Sequence, residues 1–214
     1  MQRHGRVEDD HVEASAGHQL QSPFAVGVVE ADGRMPKGVR AGDQVVGIAS
    51  PGLRSNGYTL ARKVLIEPGD RRLDDAAWPG ADVSLGEELL RPSVIYSPAL
   101  RRLAGDVEVH AFVHVTGGGI PGNLSRVLPN GLGAEIRRGS WPEPPIFGVV
   151  AEAGGVDDEE MVRVFNLGLG MLAVVADGEV AGALASLRAA GHAAYEVGRI
   201  TDGAGVAVSS TPGR

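Results

Sequence analysis

The sequence predicts a layered α/β or α+β domain. Segments with strand-like apolar patterning alternate with helix-like ones through most of the chain. The 43% hydrophobic content of the 214 residues is enough for a packed core. No internal repeat points to a solenoid or propeller.

Residues Met1–Pro23 are polar and aperiodic and read as a disordered or loosely packed lead-in. They lack the apolar core of a secretory signal, and His4, His11 and His18 are too widely spaced to suggest a metal-binding tail. The domain is expected over residues 24–214. Phe24–Glu30 (FAVGVVE) reads as a strand, and Asp32-Gly33 is a hairpin signal. Gln44–Ala49 (QVVGIA) is a second strand. Tyr58–Glu67 has helical spacing and stops at Pro68-Gly69. Leu85–Leu90 begins a helix and Ser97–Ala104 is another. Asp106–Val115 alternates strictly: Val107, Val109, Ala111, Val113 and Val115 point one way, and Asp106, Glu108, His110, Phe112 and His114 the other. A short helix ending near Leu128, the turn Pro129-Asn130-Gly131 and the strand Leu132–Ile136 follow. Pro144–Gly154 is a helix opened by prolines and closed by glycine. Asp157 with Glu160 resembles a capping box for a helix through Val164. The remaining pattern is strand (Gly170–Ala176), amphipathic helix (Gly178–Gly191), strand (Ala193–Ile200) and a last strand (Ala204–Ser210).

Composition excludes several functions. A net charge of −7 argues against a nucleic-acid surface. The absence of cysteine rules out disulfides, thiolate metal sites and a Cys nucleophile, and suits a cytoplasmic location. No run reaches the ~20 apolar residues of a membrane span. His110 and His114, ~13 Å apart along an extended strand, are too distant to share one ion, and no nucleophile elbow is present. No catalytic or metal-ligating residue is assigned.

Three glycine-rich loops flank predicted strands: Ser50–Gly57, Thr116–Gly119 and Asn166–Gly170. Glycines admit backbone N–H groups close to an anion, and Ser, Thr and Asn add hydrogen bonds. The first two loops precede helices, whose positive dipole ends would favour phosphate. The second loop also fits G-x-G-x-x-G through Gly117, Gly119 and Gly122, with Glu135 where a ribose-binding acid belongs. That dinucleotide reading, an oxidoreductase, is weak: the following helix is short, two strands and a loop precede the motif, and no Gly-Lys-Ser/Thr completes a P-loop.

Four segments carry a specific likeness: GDQVVGIASPGLRSNGYTLARKVL, HVTGGGIPGNLSRVLPNGLGAEI, RGSWPEPPIF and EEMVRVFNLGLGM. In this order and spacing they resemble the C-terminal domain of the aminoimidazole ribonucleotide synthetases (phosphoribosylformylglycinamidine cyclo-ligases), from Phe24 to near Val208. The resemblance implies a mixed sheet with helices packed on one face. It implies a purine-biosynthesis ligase in which formylglycinamidine ribonucleotide and ATP give aminoimidazole ribonucleotide, ADP and phosphate. It also implies Mg²⁺ and ATP held mainly by an N-terminal domain that this sequence does not resemble. By the same match, Ser50, Gly52, Ser55, Asn56 and Gly57 form one wall of a substrate cleft, and Thr116, Gly117, Gly118 and Gly119 another. His114 lies behind the second wall, with Asn166 and Gly168 nearby. Arg54 stands where the family usually has histidine; it is always protonated and suits phosphate binding rather than acid/base work. The expected ligand is a small ribonucleotide, and the expected partner a separately encoded N-terminal ATP-binding domain. The alternatives are a non-catalytic phosphate- or nucleotide-binding module or the remnant of a truncated gene. Gly118→Val is expected to abolish ligand binding while leaving much of the fold.

Overall fold

The computed structural model describes residues 29–209. The chain divides into two units, Met1–Gly33 and Arg34–Arg214. In the first, the described residues contain a 3-10 turn at Ala31–Gly33, at the Asp32-Gly33 turn signal; most of the expected strand at Phe24–Glu30 lies outside the described residues.

The second unit contains β1 (Gln44–Ala49), α1 (Tyr58–Leu65), α2 (Leu85–Leu89), α3 (Ser97–Asp106), β2 (Val109–His114) and α4 (Gly119–Leu124). It continues through β3 (Leu132–Arg137), α5 (Pro145–Gly154), α6 (Asp158–Val164), β4 (Leu169–Val175), α7 (Val180–Ala189), β5 (Ala194–Asp202) and β6 (Gly205–Ser209). The strands form one sheet in the order β2-β4-β1-β5-β3-β6. It is mixed: β3 and β6 run parallel and every other pair is antiparallel.

The caps follow the sequence signals. Ser84 and Glu87 form a reciprocal capping box on α2, and Asp157 accepts the Glu160 amide at the start of α6. Gly155, in the left-handed region, ends α5.

The mixed sheet is as expected, but the helices cover both of its faces rather than one. Val45, Leu172 and Val174 pack toward α1, α4, α5 and α6 through Leu65, Ile120, Phe147 and Met161. Val46, Ala173 and Val175, the alternate positions, pack toward α3 and α7 through Leu103 and Leu187. This explains why β4 is buried at every residue: a strand with two covered faces reads as a continuous apolar run.

The expected alternation over Asp106–Val115 is also revised. Helix α3 runs on to Asp106, whose carboxylate accepts a hydrogen bond from Ser186 on α7. The strand starts at Val109, and its pairing with β4 slips between Val109 and Ala111. The bulge re-aims the chain: Val109 packs with α3 and α7, whereas Ala111, Val113 and Val115 pack with the opposite core. The five apolar residues therefore do not share one face.

Candidate functional site

Sheet order brings the three glycine loops together. Strands β1 and β2 both run antiparallel to β4, which lies between them. The C-terminal ends of β1 and β2 thus meet the N-terminal end of β4 at one edge of the sheet. The Ser50 amide donates to the Gly168 carbonyl (2.8 Å), and the Val115 amide donates to the Gly170 carbonyl (3.0 Å).

Asn166 locks the first and third loops. Its Nδ2 donates to the Gly52 carbonyl at 3.0 Å, and its Oδ1 accepts the Gly168 amide at 2.7 Å. Leu167 has φ 49 and Gly168 φ 92, so the chain turns through two left-handed residues. A Cβ on Gly168 would lie 2.5 Å from Pro144 Cδ, which accounts for glycine beside the WPEPP segment. Trp141 closes the same turn by donating from Nε1 to the Leu167 carbonyl at 2.7 Å.

Asn123 holds the second loop. Buried on α4, its Nδ2 donates to the carbonyls of Gly119 (2.7 Å) and Thr116 (3.1 Å), while its Oδ1 accepts from Thr116 Oγ1 at 3.0 Å. The first and second loops meet at Asn56, whose Oδ1 is 3.4 Å from the Cβ position of Gly117. Gly57 is tightly placed as well: a side chain there would strike the ring of Phe165.

Arg54 crosses between these loops. It occupies the left-handed region at φ 60, a conformation that costs a non-glycine residue free energy and clusters at functional positions. Its Nη2 donates to His114 Nε2 at 2.7 Å, and its guanidinium carbon sits 6.0 Å from the Tyr96 ring centre. As acceptor, His114 is neutral at Nε2. Burial and then the Arg54 charge hold its pKa below the ordinary histidine value. Tyr96 anchors the arrangement by donating to the Ala49 carbonyl at 2.7 Å.

The backbone amides of Arg54, Ser55, Asn56 and Gly57, and those of Gly117 and Gly118, donate to no group among the described residues. Two loops of undonated amides beside one guanidinium are the kind of donor set that could receive an anion. The helix dipoles add less than the sequence suggests, since α4 spans only six residues.

All thirteen expected positions thus fall on three adjoining loops and the strand end that carries His114. Residues not singled out in the sequence support them: Asn123, Tyr96, Trp141, Phe165 and Glu88. Glu88 Oε1 lies 3.1 Å from the Cβ position of Gly52. Burial raises the Glu88 carboxyl above its ordinary range, against the opposing effect of Arg91. Asn123 directly follows the glycine motif; Tyr96 and Phe165 carry no local signal beyond hydrophobicity.

The dinucleotide reading fails on topology. β2 and β3, which flank the G-x-G-x-x-G segment, are separated by three strands rather than forming a parallel crossover pair. Glu135 pairs with Arg199 on β5 instead. His110 and His114 also part: His110 binds Asp43 and Glu108, and His114 binds Arg54. Among the described residues no group of three or more His, Asp or Glu is placed to hold a metal ion. No helix among them is long and apolar enough to cross a membrane.

Phosphoribosylformylglycinamidine cyclo-ligase of Anaeromyxobacter sp. is 50% identical over 190 residues, covering 86% of this chain and 53% of that protein. The Myxococcus xanthus enzyme of the same name is 46% identical, covering 87% and 54%. This chain spans about half the length of the curated relatives it matches. Among solved structures, E. coli HypE, a hydrogenase maturation protein, superposes with a TM-score of 0.57 at 18% identity, over 88% of this chain and 52% of that one; that likeness is one of fold. The model for "AIR synthase related protein, C-terminal domain" matches residues 40–210, and the chain belongs to that family.

Proposed function

We propose that this chain is the C-terminal half of a phosphoribosylformylglycinamidine cyclo-ligase. It would bind the phosphate of the ribonucleotide substrate on the loops Ser50–Gly57 and Thr116–Gly119. The observation that carries this reading is the meeting of the two loops around Arg54, with their amides undonated. Asn166 and Gly168 fix the first loop, Asn123 the second, and His114 aims the guanidinium. ATP, when bound, would activate the formyl oxygen of the substrate by phosphorylation. The ATP and Mg²⁺ ligands belong to an N-terminal half of the kind the longer relatives have room for, and turnover requires it. The experiment is an ATP-dependent assay for aminoimidazole ribonucleotide, with the chain alone and with a supplied N-terminal half. Product only in the second case is expected; product in neither case overturns the enzyme reading and leaves a phosphate-binding module.

Arg54 gives a sharper measurement. A charge-assisted, bidentate-capable phosphate contact is worth about 1.5–3 kcal/mol, so Arg54→Ala is expected to weaken binding of ribose 5-phosphate by about ten- to a hundredfold in calorimetry. Arg54→Lys would recover part of that, having the charge without the fork. Equal affinity in all three proteins would remove Arg54 from the site.

A further inference from the structure

A cavity of about 650 Å³ lies between α4, α6 and β6 and begins at Gly118. Its size falls within the range of small-molecule sites, roughly 300–1,000 Å³, and its make-up is theirs: mostly apolar walls with a few polar groups. Pro121, Val162, Val206 and Val208 supply the walls. Three charged side chains stand among them: Asp158, which is paired with Arg138, Glu159 and Arg163. The guanidinium of Arg163, largely exposed, is paired with Glu160, from Nε at 2.8 Å and Nη2 at 2.5 Å, and offers its planar face for stacking. The Glu159 carboxylate makes no hydrogen bond or ion pair among the described residues and is left as an acceptor.

We propose that this cavity receives the heterocyclic base of a nucleotide whose phosphate rests on the adjoining glycine loop. The inference rests on the phosphate-binding reading above, because Gly118 belongs to both features. A flat ring fits between the valines and proline and stacks on the Arg163 plane. An exocyclic amine donates to the Glu159 carboxylate. A ligand lacking the ring would use the loops alone.

Gly122 provides the test. It lines the cavity, its φ lies outside the left-handed region, and a Cβ there meets no atom within 4 Å. Gly122→Leu therefore places an isobutyl group at the cavity wall, from a Cβ that meets no neighbour, narrows the space for a ring and favours the helix. Aminoimidazole ribonucleotide, AMP and ribose 5-phosphate are titrated calorimetrically into the full chain and into the Gly122→Leu variant, with thermal unfolding as the control. Wild type is expected to bind at least one of the two base-bearing ligands tenfold or more tighter than ribose 5-phosphate, and the larger advantage identifies the base. Gly122→Leu is expected to erase that advantage, leaving ribose 5-phosphate affinity unchanged and Tm equal or higher. Equal binding of all three ligands to wild type overturns the proposal, as does an advantage that survives in the variant. If ribose 5-phosphate fails to bind while a base-bearing ligand binds and is lost in the variant, the phosphate reading falls and the cavity assignment stands.

Discussion

Gly119→Ala is expected to destabilise the domain by about 3 kcal/mol or more. Gly119 has φ 60, and a Cβ there would lie 1.9 Å from the carbonyl oxygen of Val162 on α6. The obstacle is backbone, which has no rotamer by which to yield, so α4 and α6 would have to separate. That separation opens the packing of Ile120, Leu124 and Met161, all buried in one core. Gly118→Ala is the matched control. Gly118 is also left-handed, at φ 99, but its Cβ would approach nothing nearer than Gly122 Cα at 3.6 Å. It carries the conformational cost alone, about 1–2 kcal/mol. Urea unfolding of the two variants should therefore give clearly separated midpoints, Gly119→Ala the lower. Coincident midpoints would mean that α6 shifts freely and that the close approach constrains nothing. The larger Gly118→Val change is expected to act on ligand binding, since Gly118 amide is undonated and borders the cavity.

These glycines mark where the sequence stops being legible. Gly117, Gly118 and Gly119 look equivalent in a string, and only packing against Asn56, Gly122 and Val162 separates them. Local signals read well where the cause is local. Strand β1 and the cap of α6 depend on neighbours within a few residues, and their boundaries agree with the pattern. The loops could be listed from glycine content, and their union inferred from family likeness, but the physical reason is sheet order. No periodicity reports that β4 lies between β1 and β2. The bulge at His110 was hidden for a related reason. Strict alternation in Asp106–Val115 describes an ideal strand, whereas α3 claims the first residue and the paired edge of β4 imposes a slip. The helices on the second face were hidden by α3 and α7 resembling any other amphipathic segment; which face of a sheet a helix covers is set by chain connections.

Replacing Asp43 with alanine should cost about 3 kcal/mol or more, because it removes the acceptor from the buried Nδ1–H of His110 and from the Arg40 amide. Asp43 is 1% exposed and His110 3%. Asp43 Oδ2 lies 2.7 Å from His110 Nδ1 and also accepts the Arg40 amide at 2.9 Å, while Glu108 Oε1 lies 2.9 Å from His110 Nε2. With carboxylates at both ring nitrogens, the network suits the imidazolium, which donates from each. Burial pushes the His110 pKa down, but the hydrogen bonds to Glu108 and Asp43, with their charges, together outweigh it and hold the pKa above its ordinary value. The folded state therefore binds the His110 proton more tightly than the unfolded chain does. The stabilisation is fully present below the ordinary histidine range, about pH 6.5, and is lost as pH rises through the raised folded value. Glu108 has the opposite sign. Its hydrogen bond with His110 holds its carboxyl below the ordinary range, so its share is present above about pH 4.5 and lost as pH falls further. The His114 pKa is instead lowered, by burial and then by the Arg54 charge, so its contribution falls as pH drops through the ordinary histidine range. The two histidines partly cancel in the wild-type curve, and a difference experiment separates them. Unfolding free energies of wild type and His110→Gln, measured at about pH 5.5 and 8.5, should differ more at the lower pH. A difference independent of pH would show that folding leaves the His110 pKa unshifted, and a difference smaller at the lower pH would show that His110 is neutral in the fold, with Asp43 a hydrogen-bond acceptor and no ion pair.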